Sequence, residues 1–170
     1  INLGIYGLSH FRHLAPQGAA DHCGAYPLLL DQALSLCAAP AGGLWLDLGC
    51  SVGRGTFELA RRGAELAVGV DLNFAMLRVA ERARRHGRAV FPLRRGGLVF
   101  DRFDHALPAL PADRLSFWCC DVGVLPFADG TFGGALLLNL LDCVQMPLEL
   151  LAETARVLAA GAPAAFSSPY

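Results

Sequence analysis

Four polar residues stand where short apolar runs give out. Asp47 sits in Leu44-Trp45-Leu46-Asp47-Leu48, Asp71 follows Leu66-Ala67-Val68-Gly69-Val70, Asp121 follows Leu115 to Cys120, and Asn139 follows Phe132 to Leu138. Apolar runs of this length, bounded by turn residues, read as buried strands. In an open α/β sheet ligands bind beyond the carboxyl ends of such strands. One Asp at a strand end is often only a turn former or helix cap. Four polar strand ends in register suggest a binding site.

The first of these ends opens a glycine-rich turn, Gly49-Cys50-Ser51-Val52-Gly53-Arg54-Gly55, before the sequence turns helical at Thr56-Phe57-Glu58. Glycines let the backbone approach a ligand closely, and the free N–H groups of the helix start attract an anionic group. The dinucleotide spacing G-x-G-x-x-G is not met, because Ser51 and Arg54 hold its second and third places. Asp47 is a second objection to a dinucleotide, since a carboxylate there would repel a pyrophosphate on the turn. A cationic ligand would tolerate it. S-adenosylmethionine carries a sulfonium and an ammonium, has no phosphate, and offers one carboxylate to the helix start.

The stretch Asp47-x-Gly49-Cys50-x-x-Gly53-Arg54 resembles the first motif of class I S-adenosylmethionine-dependent methyltransferases, usually D-x-G-C-G-x-G-R. Ser51 stands where that motif has a glycine. The resemblance runs over residues 44–170. It implies that Asp47 and the turn with Gly49, Cys50, Ser51 and Gly53 hold the methionine portion of the cofactor. It implies further that Asp71, 18 residues after Gly53, takes both ribose hydroxyls. Leu72 would press on the adenine, Asp121 would accept from its amino group, and the Val122 N–H would donate to its ring. Asn139 would lie under the cofactor near the acceptor. Residues 139–142 read Asn-Leu-Leu-Asp, not the Asn-Pro-Pro-Tyr of enzymes that methylate amino groups of DNA bases or Gln. A narrower likeness, through Gly53-Arg54-x-x-Phe57-Glu58-Leu59-Ala60, Asn139-Leu140-x-x-Cys143 and Ser168-Pro169-Tyr170, is to the methyltransferase domain of ovothiol biosynthesis. That domain methylates an imidazole nitrogen.

The elements that must position these residues follow from periodicity. A helix is expected over 27–38, with an apolar stripe of Leu30, Ala33, Leu34 and Cys37. The first strand is expected at 44–48, a helix to Arg62, a second strand at 66–71, and a helix from Phe74 to His86, capped by Asn73 and ended by Gly87. Residues 88–114 interrupt the alternation and read as an inserted β-hairpin and loop, with Pro92 on an edge. That insert is expected to border the acceptor or an interface. Strands at 115–120 and 132–138 follow. Then comes a helix from Pro147 to Gly161 carrying Leu148, Leu151, Ala155 and Leu158 on one face, and a fifth strand from Ala164. The order predicts one Rossmann-like, doubly wound α/β domain over 1–170, with a mostly parallel sheet and helices on both faces. Residues 1–43 would form an N-terminal cap. Methyltransferases of this family normally add two more strands, so the chain reads as a core fragment. Its uncharged fifth strand would be an edge prone to self-association.

The bulk numbers fit a globular domain. The chain has 170 residues, 54% hydrophobic and 17% charged, with a net charge of −1. Such a balance gives no global reason to expect nucleic acid or an anionic membrane. No apolar run reaches the length of a membrane span, and no signal peptide is visible. The six cysteines at 23, 37, 50, 119, 120 and 143 form no C-x-x-C and read as small buried hydrophobes of a cytoplasmic protein. His10, His13, His22 and Cys23 match no standard metal spacing, so no metal is expected. His10 and Tyr26 are candidates for a lid over the acceptor. Two other readings stay open: a nicotinamide-dependent oxidoreductase, and a non-catalytic S-adenosylmethionine-binding domain. The expected partner is a small-molecule acceptor with a nitrogen, oxygen or sulfur nucleophile.

Overall fold

The computed structural model describes residues 3–14, 25–37, 40 and 42–168. Its strands are β1 (Leu44–Leu48), β2 (Leu66–Asp71), β3 (Arg88–Gly96), β4 (Val99–Ala106), β5 (Leu115–Cys119), β6 (Gly134–Leu138) and β7 (Ala164–Ser167). The helices are α1 (Leu3–Phe11), α2 (Ala25–Leu36), α3 (Arg54–Arg61), α4 (Phe74–His86) and α5 (Pro147–Val157). One sheet runs β5-β2-β1-β6-β7, and every neighbouring pair in it is parallel. The chain builds outward from β1 through β2 to β5, then crosses to β6 and β7. The order therefore reverses beside β1, where such sheets open a crevice.

Side-chain alternation along the strands splits the core into two layers. Trp45, Ala67, Leu136 and Leu138 face one side, with Phe11 of α1, Leu30 and Leu34 of α2, Phe57 of α3 and Val79 of α4. Leu46, Leu48, Val68, Val70 and Leu137 face the other, with Leu150 and Val157 of α5. Each fully buried aliphatic side chain contributes about 1.5–3 kcal/mol.

Close approach of α3 to the sheet dictates two small residues. A Cβ at Gly55 would stand 2.6 Å from Asp47 Oδ2, and one at Gly69 would stand 2.6 Å from Thr56 Oγ1. Asp47 and Gly69 are register partners on neighbouring strands. Helix α4 starts as its sequence predicts: Asn73 Oδ1 accepts from the Ala75 N–H at 3.1 Å. It ends at Gly87 in the left-handed region, φ 63°.

The insert is an antiparallel hairpin, β3–β4, longer than its sequence suggests. Phe91 and Phe103 stack at 4.4 Å and are buried, which roots its stem in the core. The stem also carries α1. Gly7 lies so close to the Phe91 ring that a Cβ there would come within 2.7 Å of it.

Three expectations are corrected. In α5 the inward residues are Leu150, Thr154 and Val157, whereas Leu148, 81% exposed, Leu151 and Ala155 face outward. The helix is apolar on several sides, so periodicity alone picks the wrong stripe. Its orientation is set by polar anchors: Arg156 donates to the Leu125 and Phe127 carbonyls, and Glu153 accepts from the Leu125 N–H. The helix also ends at Val157, because Leu158 turns extended to bridge Phe132, and the β6 ladder begins only at Gly134. Among the cysteines, Cys50 is buried but Cys119 and Cys143 are exposed. Cys23, His22 and the end of the Ser168-Pro169-Tyr170 motif lie outside the described residues.

Candidate active site

A cavity of about 870 Å³ opens beyond the carboxyl ends of β1, β2, β5 and β6. Gly49 and Ser51 form its floor. Asp71, Leu72 and Asn73 border it at β2, Asp121 and Val122 at β5, and Asn139 at β6. Seven of the ten residues singled out from sequence thus line one cavity. Asp47, Cys50 and Gly53 do not; they are buried.

Asp71 is the hinge of this arrangement. Its Oδ2 accepts from the Ser51 N–H at 2.8 Å and its Oδ1 from the Asn73 N–H at 2.7 Å. One carboxylate so holds both the glycine-rich turn and the start of α4. Each oxygen keeps a second lone pair, the pair of acceptors that a vicinal diol needs. Ser51 sits at φ 53°, in the left-handed region, which explains why glycine suits this place. Its hydroxyl donates to Met76 Sδ at 3.2 Å. Asn139 shares the same backbone region, φ 53°. Its N–H reaches the Ser167 carbonyl and hydroxyl, and that hydroxyl donates to Asn139 Oδ1. Among the described residues the Asn139 amide nitrogen has no partner and is open to a ligand. Asp121 Oδ1 accepts from the Gly123 N–H at 2.9 Å, which fixes the turn bearing Val122.

Gly49 is restricted by a contact as well as by φ 69°: a Cβ would meet Leu140 at 2.8 Å. Gly53 begins α3 at φ 87°, with no side-chain cap on the helix. Asp47 is 2% exposed and accepts from Thr56 Oγ1 at 2.7 Å. Burial, opposed by the Thr56 bonds and aided by the charge of Asp71, pushes its carboxyl up to about 7. Burial likewise raises the Cys50 thiol.

Neither His10 nor Tyr26 lines the cavity. His10 is buried, its ring stacked on Tyr26 at 3.9 Å, and its Nδ1 finds no partner among the described residues. Burial, then the Arg54 charge, lowers its pKa to about 3, so it stays neutral. The α1 residue that lines the cavity is Tyr6, one turn earlier. Sequence reasoning missed Tyr6, and it missed the wall formed by Leu140, Cys143, Gln145 and Glu149. No motif marks these residues. Their one signal is position, since they follow a polar strand end. No residue of β3 or β4 lines the cavity.

The ionisable lining is Asp71, Asp121 and Glu149, with Tyr6 and Cys143; no Lys, Arg or His lines it among the described residues. A pyrophosphate would meet repulsion here. A ligand with a diol, a flat ring and cationic groups fits, which is the inventory of S-adenosylmethionine.

Comparison with known proteins agrees. The family described as "Methyltransferase domain" matches residues 46–166. Among curated proteins none matches the chain. Three solved structures illustrate the fold. The 4+2 cyclase SpnF is 21% identical, with a TM-score of 0.70 over 98% of this chain and 57% of its own. An S-adenosylmethionine-dependent methyltransferase from Mesorhizobium loti is 22% identical, with a TM-score of 0.58 over 82% of this chain and 55% of its own. A methyltransferase of the same cofactor class from Methanosarcina mazei is 27% identical, with a TM-score of 0.53 over 72% of this chain and 50% of its own. The chain thus spans between half and three-fifths of the length of these structures. With the glycine-rich turn, the strand-end carboxylates and the family match in agreement, the chain belongs to the class I S-adenosylmethionine-dependent methyltransferases, and S-adenosylmethionine is its cofactor.

Proposed function

We propose that this protein transfers a methyl group from S-adenosylmethionine to a small molecule bearing a nitrogen, oxygen or sulfur nucleophile, an imidazole among them. The observation that carries this reading is the grip of Asp71. Its carboxylate, already bonded to two backbone N–H groups, presents two more lone pairs to a cavity with acidic lining. In this reading Asp71 holds the ribose, with Leu72 against the adenine and Asp121 and Val122 at its edge. Gly49 and Ser51 flank the methionine portion, supported by the buried Asp47, Cys50 and Gly53.

When bound, the cofactor supplies the electrophile, a methyl carbon on a positive sulfur that leaves as a neutral thioether. The protein's part is orientation and exclusion of water. Asn139, Tyr6, Gln145 and Glu149 surround the remaining space and favour an acceptor with N–H or O–H groups over an anionic one. The chain 1–170 is read as one domain. The described cysteines are free thiols, and no helix among the described residues is long and apolar enough to cross a membrane. We read the enzyme as cytoplasmic on the same grounds as from its sequence.

The nicotinamide reading is weakened by a lining without cations. SpnF, a cyclase, shares the fold, so transfer itself must be measured. The test is a mass-spectrometric screen of candidate acceptors with methyl-labelled cofactor. Label appearing in a small acceptor supports the proposal. Cofactor binding with no transfer to any acceptor supports the non-catalytic reading.

A further inference from the structure

The β3–β4 hairpin carries a feature that the cavity does not use. Its stem is rooted by Phe91 and Phe103, but its tip projects with Leu98 93% exposed, Val99 58% and Phe100 53%. These three residues are consecutive. Leu98 is at the turn, and Val99 and Phe100, as neighbours on a strand, point to opposite faces of the ribbon. A flat protein patch covers one face of a ribbon. A tip apolar on both faces needs a medium that surrounds it.

Charge says which medium. Arg94 stands opposite Phe100 in the register and Arg102 opposite Pro92, so both arginines share the face of Phe100. Arg88 is on that face too, paired with Asp104, and Arg102 also reaches Asp104. Arg95 pairs with Asp101 across the bulge. Arg94 spends its Nε on the Gly97 carbonyl and meets no carboxylate among the described residues. Four arginines against two aspartates leave the hairpin cationic, although the whole chain carries −1. An apolar wedge behind a collar of arginines matches the boundary between acyl chains and anionic headgroups.

We infer that the hairpin tip anchors the protein on an anionic lipid surface, with Leu98, Val99 and Phe100 inserted and Arg94 and Arg102 at the headgroups. Nucleic acid fits less well, because of the three tip residues only Phe100 could stack on a base, while Leu98 and Val99 offer neither stacking nor hydrogen bonds. The inference is independent of the methyl acceptor.

The test is flotation of the full chain with vesicles of phosphatidylcholine alone or with about one-third phosphatidylserine. The expected result is recovery with the anionic vesicles about tenfold above the neutral ones, falling as salt is raised. Leu98→Ser with Phe100→Ser, and separately Arg94→Glu, each lower recovery about tenfold with an unchanged melting midpoint. Equal recovery of the double variant, or no preference for anionic vesicles, overturns the inference. Capture by a duplex oligonucleotide that Arg94→Glu abolishes and the double variant retains would overturn it too, in favour of nucleic acid.

Discussion

At the scale of single residues, Asp71 and Asp47 do opposite things with the same carboxylate. Asp71 is half-buried and held by one backbone donor on each oxygen, so its remaining lone pairs are presented to a ligand. Asp71→Ala should weaken cofactor binding by about 1–3 kcal/mol, the scale of hydrogen bonds to a charged group. Titration calorimetry on the folded variant checks this, and unchanged affinity would remove Asp71 from the ribose site. Asp47 is buried, with its carboxyl raised to about 7. In the unfolded chain an aspartate titrates near the ordinary 3.8. Between these values the native state holds a proton that the unfolded state has released. The contribution of Asp47 to stability is therefore greatest at the acid end of this window and is lost as pH rises toward 7, by about 4 kcal/mol. Asp47→Asn keeps an acceptor for Thr56 and removes the titration. Chemical denaturation of the ligand-free protein at pH 5 and pH 8 should show the decline in the parent and its loss in the variant.

At the scale of elements, the sequence is most legible where local chemistry decides. The cap at Asn73, the stop at Gly87 and the apolar strands β1 and β2 came out where composition put them. Helix α5 shows the limit: its orientation depends on Arg156 and Glu153 clamping a loop some 30 residues away, which no periodicity encodes. Tyr6 and the 140–150 wall were hidden for the same reason, since tertiary placement alone brings them to the cavity. The hairpin was foreseen, but its division of labour was not. Phe91 is core, so replacing residues from 90 onward would cost about 3–5 kcal/mol through loss of that ring. Replacing only 94–100 with a short Gly-Ser turn spares it. Since β3 and β4 do not line the cavity, cofactor affinity measured by calorimetry should stay within about twofold. A larger loss would place the insert in the cofactor site.

At the scale of the whole molecule, the order of strands was readable because apolar runs alternated with helices, and parallel connections leave few topologies open. The sheet edges were less so. Among the described residues β7 is an edge, four residues without charge, with Phe166 63% exposed. Such an edge offers free N–H and C=O groups to another chain. The chain 1–170 should self-associate at micromolar concentration in sedimentation velocity, and Phe166→Lys should shift it toward monomer. A parent that sediments as a stable monomer would show that the edge is protected.

The contact between Gly7 and Phe91 has a mechanical consequence. Helix α1 is pinned to the hairpin by a glycine that admits the ring, and Tyr6, the next residue back, stands at the cavity. Helix α1 is then a lever, with Gly7 resting on the hairpin stem and Tyr6 reaching the mouth. A methyl group at position 7 would pry the two apart without touching a lining side chain. Gly7→Ala should therefore speed escape of a bound cofactor, read by stopped-flow displacement, more than it slows capture; equal rates in parent and variant would mean that the mouth does not move with α1.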